Sequence, residues 1–263
     1  MRLSIDTNTD DLGTRASALV AESLRNGLAQ RKRAAIVLAT GMSQFPLLER
    51  LAVAPDVDWS RVHIFHMDEY MGLDSSHSAS FVRFLLDRFV NHIPKPAAFH
   101  GINGMAADPA EECRRLEALI RADALDVTVA GVGNTGHLAF NDPPADFDTD
   151  VAYHVVDLLE GSRRQQLDQG WFPTMDAVPK RAFSISIRQV LRSGRIVCLA
   201  HGEHKRNVVQ AMVEGPLTPM MPASALRVHG DCRLLVDESA AGGLSSISRV
   251  FAEAPLARAF AER

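Results

Sequence analysis

The chain of 263 residues is 46% hydrophobic and 23% charged, which is enough apolar material for a substantial core and an ordinary composition for a soluble protein. A formal net charge of -4 gives no drive toward nucleic acid or an anionic membrane, so any bound anion must be met by a local cluster. The three cysteines, Cys113, Cys198 and Cys232, are odd in number and scattered, which argues against a disulfide framework or a zinc site, and neither a leader nor a run of ~18 apolar residues marks the chain for export or a membrane, so a cytoplasmic setting is expected.

In chain order, Leu3 to Asp6 reads as a short edge strand and Asp10 to Gln30 as a helix, with Leu12, Ala16, Leu19, Val20, Leu24 and Leu28 at helical spacing. Ala34 to Ala39 is a near-continuous apolar strand of the kind buried on both faces of a parallel sheet. It runs into Thr40-Gly41-Met42-Ser43, where Ser43 is expected to cap a helix through Leu51 with Pro46 in its first turn. Strand, short loop and helix N-terminus together make either an anion trap, phosphate first, or an ordinary capped turn. No P-loop lysine accompanies it, so a nucleoside triphosphate is not implied.

The strand Val62 to Phe65 ends in His66-Met67-Asp68-Glu69-Tyr70, and strand alternation puts His66, Asp68 and Tyr70 on one side and Glu69 on the other. His63 and His66 fall on opposite faces, which argues against a metal pair. Asp74 to Ser80 has the composition of a lid loop, Phe81 to Phe89 resumes helical spacing, and Asp108 to Asp123 reads as a helix with Cys113 as a core residue.

The apolar run Asp126 to Val129 then opens into Gly131-Val132-Gly133-Asn134-Thr135-Gly136-His137, followed by Leu138 to Pro144. A buried strand ending in glycines lets backbone approach a ligand, and His137, Asn141 and Asp142 would sit at its carboxyl end, where open α/β sheets build their sites. The Gly-x-Gly-x-x-Gly spacing matches a dinucleotide fingerprint, but Pro143 and Pro144 would break the helix that fingerprint needs.

Further on, Val151 to Val156, Ala182 to Ile187, Arg195 to Ala200, Ala225 to Val228 and Cys232 to Val236 read as strands, Gly161 to Leu167 as a short helix, and the chain end as a helical region. A helix from His201-Gly202-Glu203-His204-Lys205 to Val213 would place Lys205 against the positive end of the helix dipole. Either an anion sits between them or the lysine is solvated.

Taken together, Leu38-Ala39-Thr40-Gly41, Phe65 to Tyr70, Gly131 to Pro143 and Lys205 resemble the glucosamine-6-phosphate deaminase (isomerase) family, with echoes at Val178-Pro179-Lys180 and Val213-Glu214-Gly215. The resemblance runs over nearly the whole chain and implies a single α/β domain, a modified Rossmann-like, mostly parallel sheet with helices on both faces. It implies a cofactor-free and metal-free isomerisation with deamination of an amino-sugar 6-phosphate, with self-association of the chain left open. By motif position, Asp68 would be the base that moves the C2 proton, and His137 would assist ring opening with Asp142 as its carboxylate partner. Thr40, Gly41, Ser43 and Lys205 would hold the phosphate, joined by an arginine, Arg163 or Arg164, with Gly133 and Thr135 also at the substrate. The chain departs from the pattern at Thr135, where the family has an acidic residue, and at Asp142, where it commonly has glutamate. Ring opening is therefore expected to be slower, or the substrate to differ. Two other readings share the pocket: a 6-phosphogluconolactonase, against which the loop after His137 argues, and a sugar-phosphate-binding protein that has lost its activity.

Overall fold

The structure is a computed structural model and describes residues 1–122 and 124–252. Its first half runs β1 (Arg2–Asp6), α1 (Thr9–Gln30), β2 (Ala34–Leu38), α2 (Phe45–Ala52), β3 (Val62–His66), β4 (Asp68–Tyr70), α3 (Phe81–Arg88), β5 (Ala98–His100), α4 (Pro109–Ile120) and β6 (Val127–Gly131). The second half adds β7 (Tyr153–Asp157), α5 (Glu160–Asp168), β8 (Arg181–Ile185), α6 (Ile187–Val190), β9 (Arg195–Ala200), α7 (Arg206–Glu214), β10 (Cys232–Asp237), α8 (Glu238–Ala241) and α9 (Ser246–Val250).

Seven strands form one sheet in the order β1-β10-β9-β6-β2-β3-β5, every pair parallel. The apolar runs follow from burial on both faces. Ile36 and Leu38 pack with α1 and α2 through Leu12, Val20, Leu24, Leu47 and Leu51, while Ala35 and Val37 join a second cluster on the other face with Leu116, Ile120, Val209 and Val213. Helix α1 starts where Asn8 accepts hydrogen bonds from the backbone of Asp10 and Asp11, and those two carboxylates sit at the end that favours negative charge.

From β2 the chain winds outward through β3 to β5, then returns to β2's other side as β6 and winds the opposite way through β9 and β10. The carboxyl ends of β2 and β6 are therefore the switch point of the sheet, where loops diverge and leave a crevice. Three further strands make a small antiparallel sheet in the order β4-β8-β7.

Three local expectations are corrected. Ser43 does not cap α2: Gly41, at φ +100°, closes a tight turn over Met42–Gln44 first, and α2 begins at Phe45 with no side-chain cap. Ala225 to Val228 is not a strand but part of a 3₁₀ turn, Pro222–Val228; a short buried apolar run carries no periodicity that separates the two. His66 does not share a side with Asp68 and Tyr70 along one strand, because the chain leaves the large sheet at Met67 and enters the small one at Asp68. His66 is instead wholly buried and accepts a hydrogen bond from Ile102 N, and burial drives its imidazole down to about 3.

Cys113 is half-buried against the core, and burial pushes its thiol up to about 11, the behaviour of a packing residue. No helix follows Gly136 before β7, so the dinucleotide fingerprint lacks its helix. The helix read as ending at Asp123 ends at Ile120, Asp123 itself and the chain end past 252 lying outside the described residues. Among the described residues no helix is long and apolar enough to cross a membrane, and no cluster of His, Cys, Asp and Glu could hold a metal ion.

Candidate active site

One cavity opens over the switch point. It is lined by Thr40, Gly41 and Ser43 after β2, by Asp68 at the start of β4, by Gly131, Gly133 and His137 after β6, and by Lys205 after β9. Phe81 and Phe140, ring centroids 5.8 Å apart and stacked, form an apolar part of its wall with Ala139 and Trp171.

The loop after β6 is shaped around His137. Gly133 N donates to His137 O at 3.0 Å and Gly136, at φ +83°, donates to Gly133 O at 3.0 Å. A Cβ on Gly133 would lie 1.9 Å from His137 Nε2, so only glycine leaves the ring its place. Ala139 sits at φ +50°, a left-handed conformation that costs a non-glycine residue about 1 kcal/mol and clusters at functional sites. Asn141, buried, pins the loop to the small sheet: its Nδ2 donates to Leu138 O, Ser184 Oγ and Ile185 O at 2.8 to 3.1 Å. Asn141 is thus a clamp outside the cavity lining, although the sequence set it beside His137 and Asp142.

His137 Nδ1 is surrounded by Asp142 Oδ1 at 3.2 Å, Thr135 Oγ1 at 2.9 Å and Ser162 Oγ at 3.3 Å. This fixes Nδ1 as the protonated nitrogen facing Asp142, while Nε2 has no hydrogen-bond partner among the described residues and belongs to the ring that lines the cavity. Burial opposes the charge on Asp142, but hydrogen bonds from His137 and from Ser162, with Leu159 N, outweigh it and hold the carboxyl below its ordinary value. Asp142 is therefore an ionised partner for His137, and one methylene less than glutamate does not break the contact. Thr135 does not line the cavity as expected; it stands behind the imidazole as a hydroxyl on the same nitrogen.

Asp68 is 7% exposed, and burial first, then the charge of Glu69, holds its carboxyl well above the usual carboxylate range. A carboxyl raised in this way holds a proton more readily than an ordinary aspartate, which suits a group that takes up a proton and returns it. Glu69 points away, as alternation requires: its carboxylate accepts from Ser80 Oγ at 2.7 Å and from Val82 N at 3.0 Å, capping α3. Ser80 thus ends the expected lid loop as the N-cap of α3, and Phe81 next to it enters the cavity wall.

Lys205 closes the 3₁₀ turn Glu203–Lys205 ahead of α7. Its Nζ donates to Asn134 Oδ1 at 2.8 Å, and burial lowers the amine to about 8. Thr40, Gly41 and Ser43 share the cavity with it, which sets one amine beside a turn of the kind that suits an anion. The expected arginine is absent from the lining. Arg163 donates to the carbonyls of Met175 and Val178, Arg164 is exposed, and α5 with the residue after it presents Gln165, Gln166 and Gln169 instead. The glutamines, Trp171, His201 and His204 are lining residues that sequence reasoning did not assign. The one available signal was the nearness of the two histidines to Lys205.

Fold and cavity together define a doubly wound α/β protein with a cavity at its switch point, lined by a carboxyl, an imidazole and an amine. The family model for glucosamine-6-phosphate isomerases/6-phosphogluconolactonase matches residues 7–234, and the chain belongs to that family. It is 34% identical over 245 residues to a glucosamine-6-phosphate deaminase of Streptococcus agalactiae (strain NEM316), covering 93% of this chain and 100% of that protein. With glucosamine-6-phosphate deaminase 1 of Bacillus subtilis (strain 168) it shares 34% over 239 residues, 88% of this chain and 95% of the other. A solved monomeric glucosamine-6-phosphate deaminase superposes with a TM-score of 0.84 at 32% identity, covering 92% of this chain and all of that one. The 6-phosphogluconolactonase of Thermotoga maritima shares the fold, with a TM-score of 0.72 at 18% identity over 89% of this chain and 98% of that one.

Proposed function

We propose that the chain is a glucosamine-6-phosphate deaminase, converting glucosamine 6-phosphate and water into fructose 6-phosphate and ammonia. The observation that carries the reading is a single cavity holding a carboxyl of raised pKa, Asp68, an imidazole backed by an ionised carboxylate, His137 with Asp142, and an anion-binding end at Lys205. The two named deaminases are 34% identical, whereas the lactonases among the solved structures are 14 to 19% identical, and this also favours deamination over lactone hydrolysis.

In this reading the phosphate is held at Lys205 with Thr40, Gly41 and Ser43, and that contact positions the reacting end of the sugar. His137 Nε2 takes the C1 hydroxyl proton and passes it to the ring oxygen as the C1–O5 bond breaks, its Nδ1 proton staying on the Asp142 side so that the transient imidazolium is stabilised. Asp68 removes the proton from C2 of the open-chain aldehyde while the C1 oxygen takes a proton from the C2 ammonium, giving a C1–C2 enol-amine, and Asp68 then returns its proton at C1. The nitrogen is then left on a C2 iminium, which water hydrolyses to the ketone with loss of ammonia. These groups suffice for the proton movements. We place this chemistry in the cytoplasm, a setting compatible with three unpaired thiols of which two are buried.

The experiment is ammonia release from glucosamine 6-phosphate by the wild type and by Asp68→Asn. The expected outcome is turnover in the wild type and a loss of ~10²-fold or more in the variant, the scale of a positioned acid–base group. Turnover in Asp68→Asn at the wild-type rate would remove the base from its role.

A further inference from the structure

We propose that His201 and His204 complete the anion end of the cavity, so that the sugar's phosphate is held by Lys205 together with two imidazoles from the same turn. The proposal rests on the deaminase reading above. Both rings line the cavity with Lys205, Thr40 and Ser43.

Charge balance makes the case. A phosphate monoester carries about -1.5 to -2 near neutral pH. Among the described residues that line the cavity, Lys205 is the only lysine or arginine, and its own amine is pulled down by burial. Helix α5, from which a phosphate-binding arginine was expected, offers only neutral glutamines there. One cation thus faces a ligand of nearly two charges.

The two histidines can supply the rest. His201 Nε2 is buried without a hydrogen-bond partner among the described residues, an arrangement that is costly unless a ligand or water meets it. His204 is exposed, with no hydrogen-bond partner for its ring among the described residues, and partial burial, then the charges of Lys205 and His201, hold it below its ordinary value while Asp237 on β10 pulls the other way. The turn is built to keep the rings there. Gly202 sits at φ +87°, a Cβ on it would come within 3.0 Å of the His204 ring, and its N–H is fixed by both Asp237 oxygens at 3.0 and 3.1 Å.

The sign of the pH effect follows. An arriving anion favours protonated imidazole, so binding takes up protons. An imidazole adds charge to such a site only while it is protonated, so the histidine contribution belongs to the acidic side of the pH range.

The test measures KM and kcat for glucosamine 6-phosphate against pH, and calorimetric binding of the unreactive glucitol 6-phosphate, for wild type, His201→Gln, His204→Gln and the double variant. At about pH 6 the double variant should raise KM and weaken glucitol 6-phosphate by roughly tenfold to a hundredfold, as expected for lost charge-assisted hydrogen bonds, with kcat within about twofold. That gap should close above about pH 8, where an imidazole is ordinarily neutral and has no charge for the variant to lose. Variants that match the wild type at the acidic end overturn the proposal, and so does a gap that persists unchanged at the alkaline end. Wild type that binds glucitol 6-phosphate but releases no ammonia defeats the deaminase reading while the binding data still decide on the histidines; wild type that binds no sugar phosphate defeats both.

Discussion

Gly133→Ala isolates the position of the imidazole from every other feature of the cavity. The φ of Gly133 lies outside the left-handed region, so an alanine backbone is tolerated and the whole effect is steric. The added Cβ would lie 1.9 Å from His137 Nε2, 2.1 Å from Cε1 and 2.3 Å from Cδ2, against an ordinary contact of 3.4 Å or more, so the ring must back away by about 1.5 Å. A shift of that size breaks Nδ1 contacts now at 2.9 Å to Thr135 and 3.2 Å to Asp142. Misplacing a catalytic group by about 1 Å costs about a hundredfold, equivalent to roughly 2.7 kcal/mol of barrier. The assay is kcat for ammonia release, with glucitol 6-phosphate affinity and near-ultraviolet circular dichroism as controls; both controls should stay at wild-type values because Lys205 and the core are untouched. A Gly133→Ala protein that keeps kcat within about threefold would refute the claim that this glycine exists to seat the ring.

Thr135→Asp adds a second carboxylate at a nitrogen that Asp142 and Ser162 already serve, so the rate with cyclic substrate should stay flat or fall through like-charge repulsion; a rise of about a hundredfold would show that Asp142 alone leaves the imidazolium under-stabilised. The acid limb of kcat/KM should lie above the ordinary aspartate range, since Asp68 must be ionised to act and its carboxyl is raised: activity is lost as pH falls through that raised value. Glu69→Gln should move the limb to lower pH without restoring an ordinary value, because burial, the larger cause, remains; a limb that stays put or moves up contradicts the assignment.

The parallel sheet was legible because Ala34 to Leu38 and Ile196 to Ala200 are apolar at every successive position, and both faces are covered. Asp68, His137, Asp142 and Lys205 were legible from short motifs at strand ends. What escaped was set by long-range geometry. Whether Arg163 or Gln169 reaches the cavity depends on how α5 is docked, and nothing local in Glu160 to Asp168 distinguishes the face that the carbonyls of Met175 and Val178 claim. The break at Met67 was hidden for the same reason: Val62 to Tyr70 reads as one strand, yet its two halves pair with partners far apart in sequence, β2 and β8. Thr135 looked like a missing charge because its neighbours Ser162 and Asp142 come from other turns of the chain.

Strand β8 contributes no side chain to the cavity lining, yet both reacting groups are measured from it. Asp68 is in register with Ser184, and the loop that carries His137 is tied to that serine through Phe140 N and Asn141 Nδ2, each at 3.1 Å. Ser184 therefore works as a rivet between two sheets: one buried hydroxyl fastens the loop that carries His137 to the strand that pairs with Asp68.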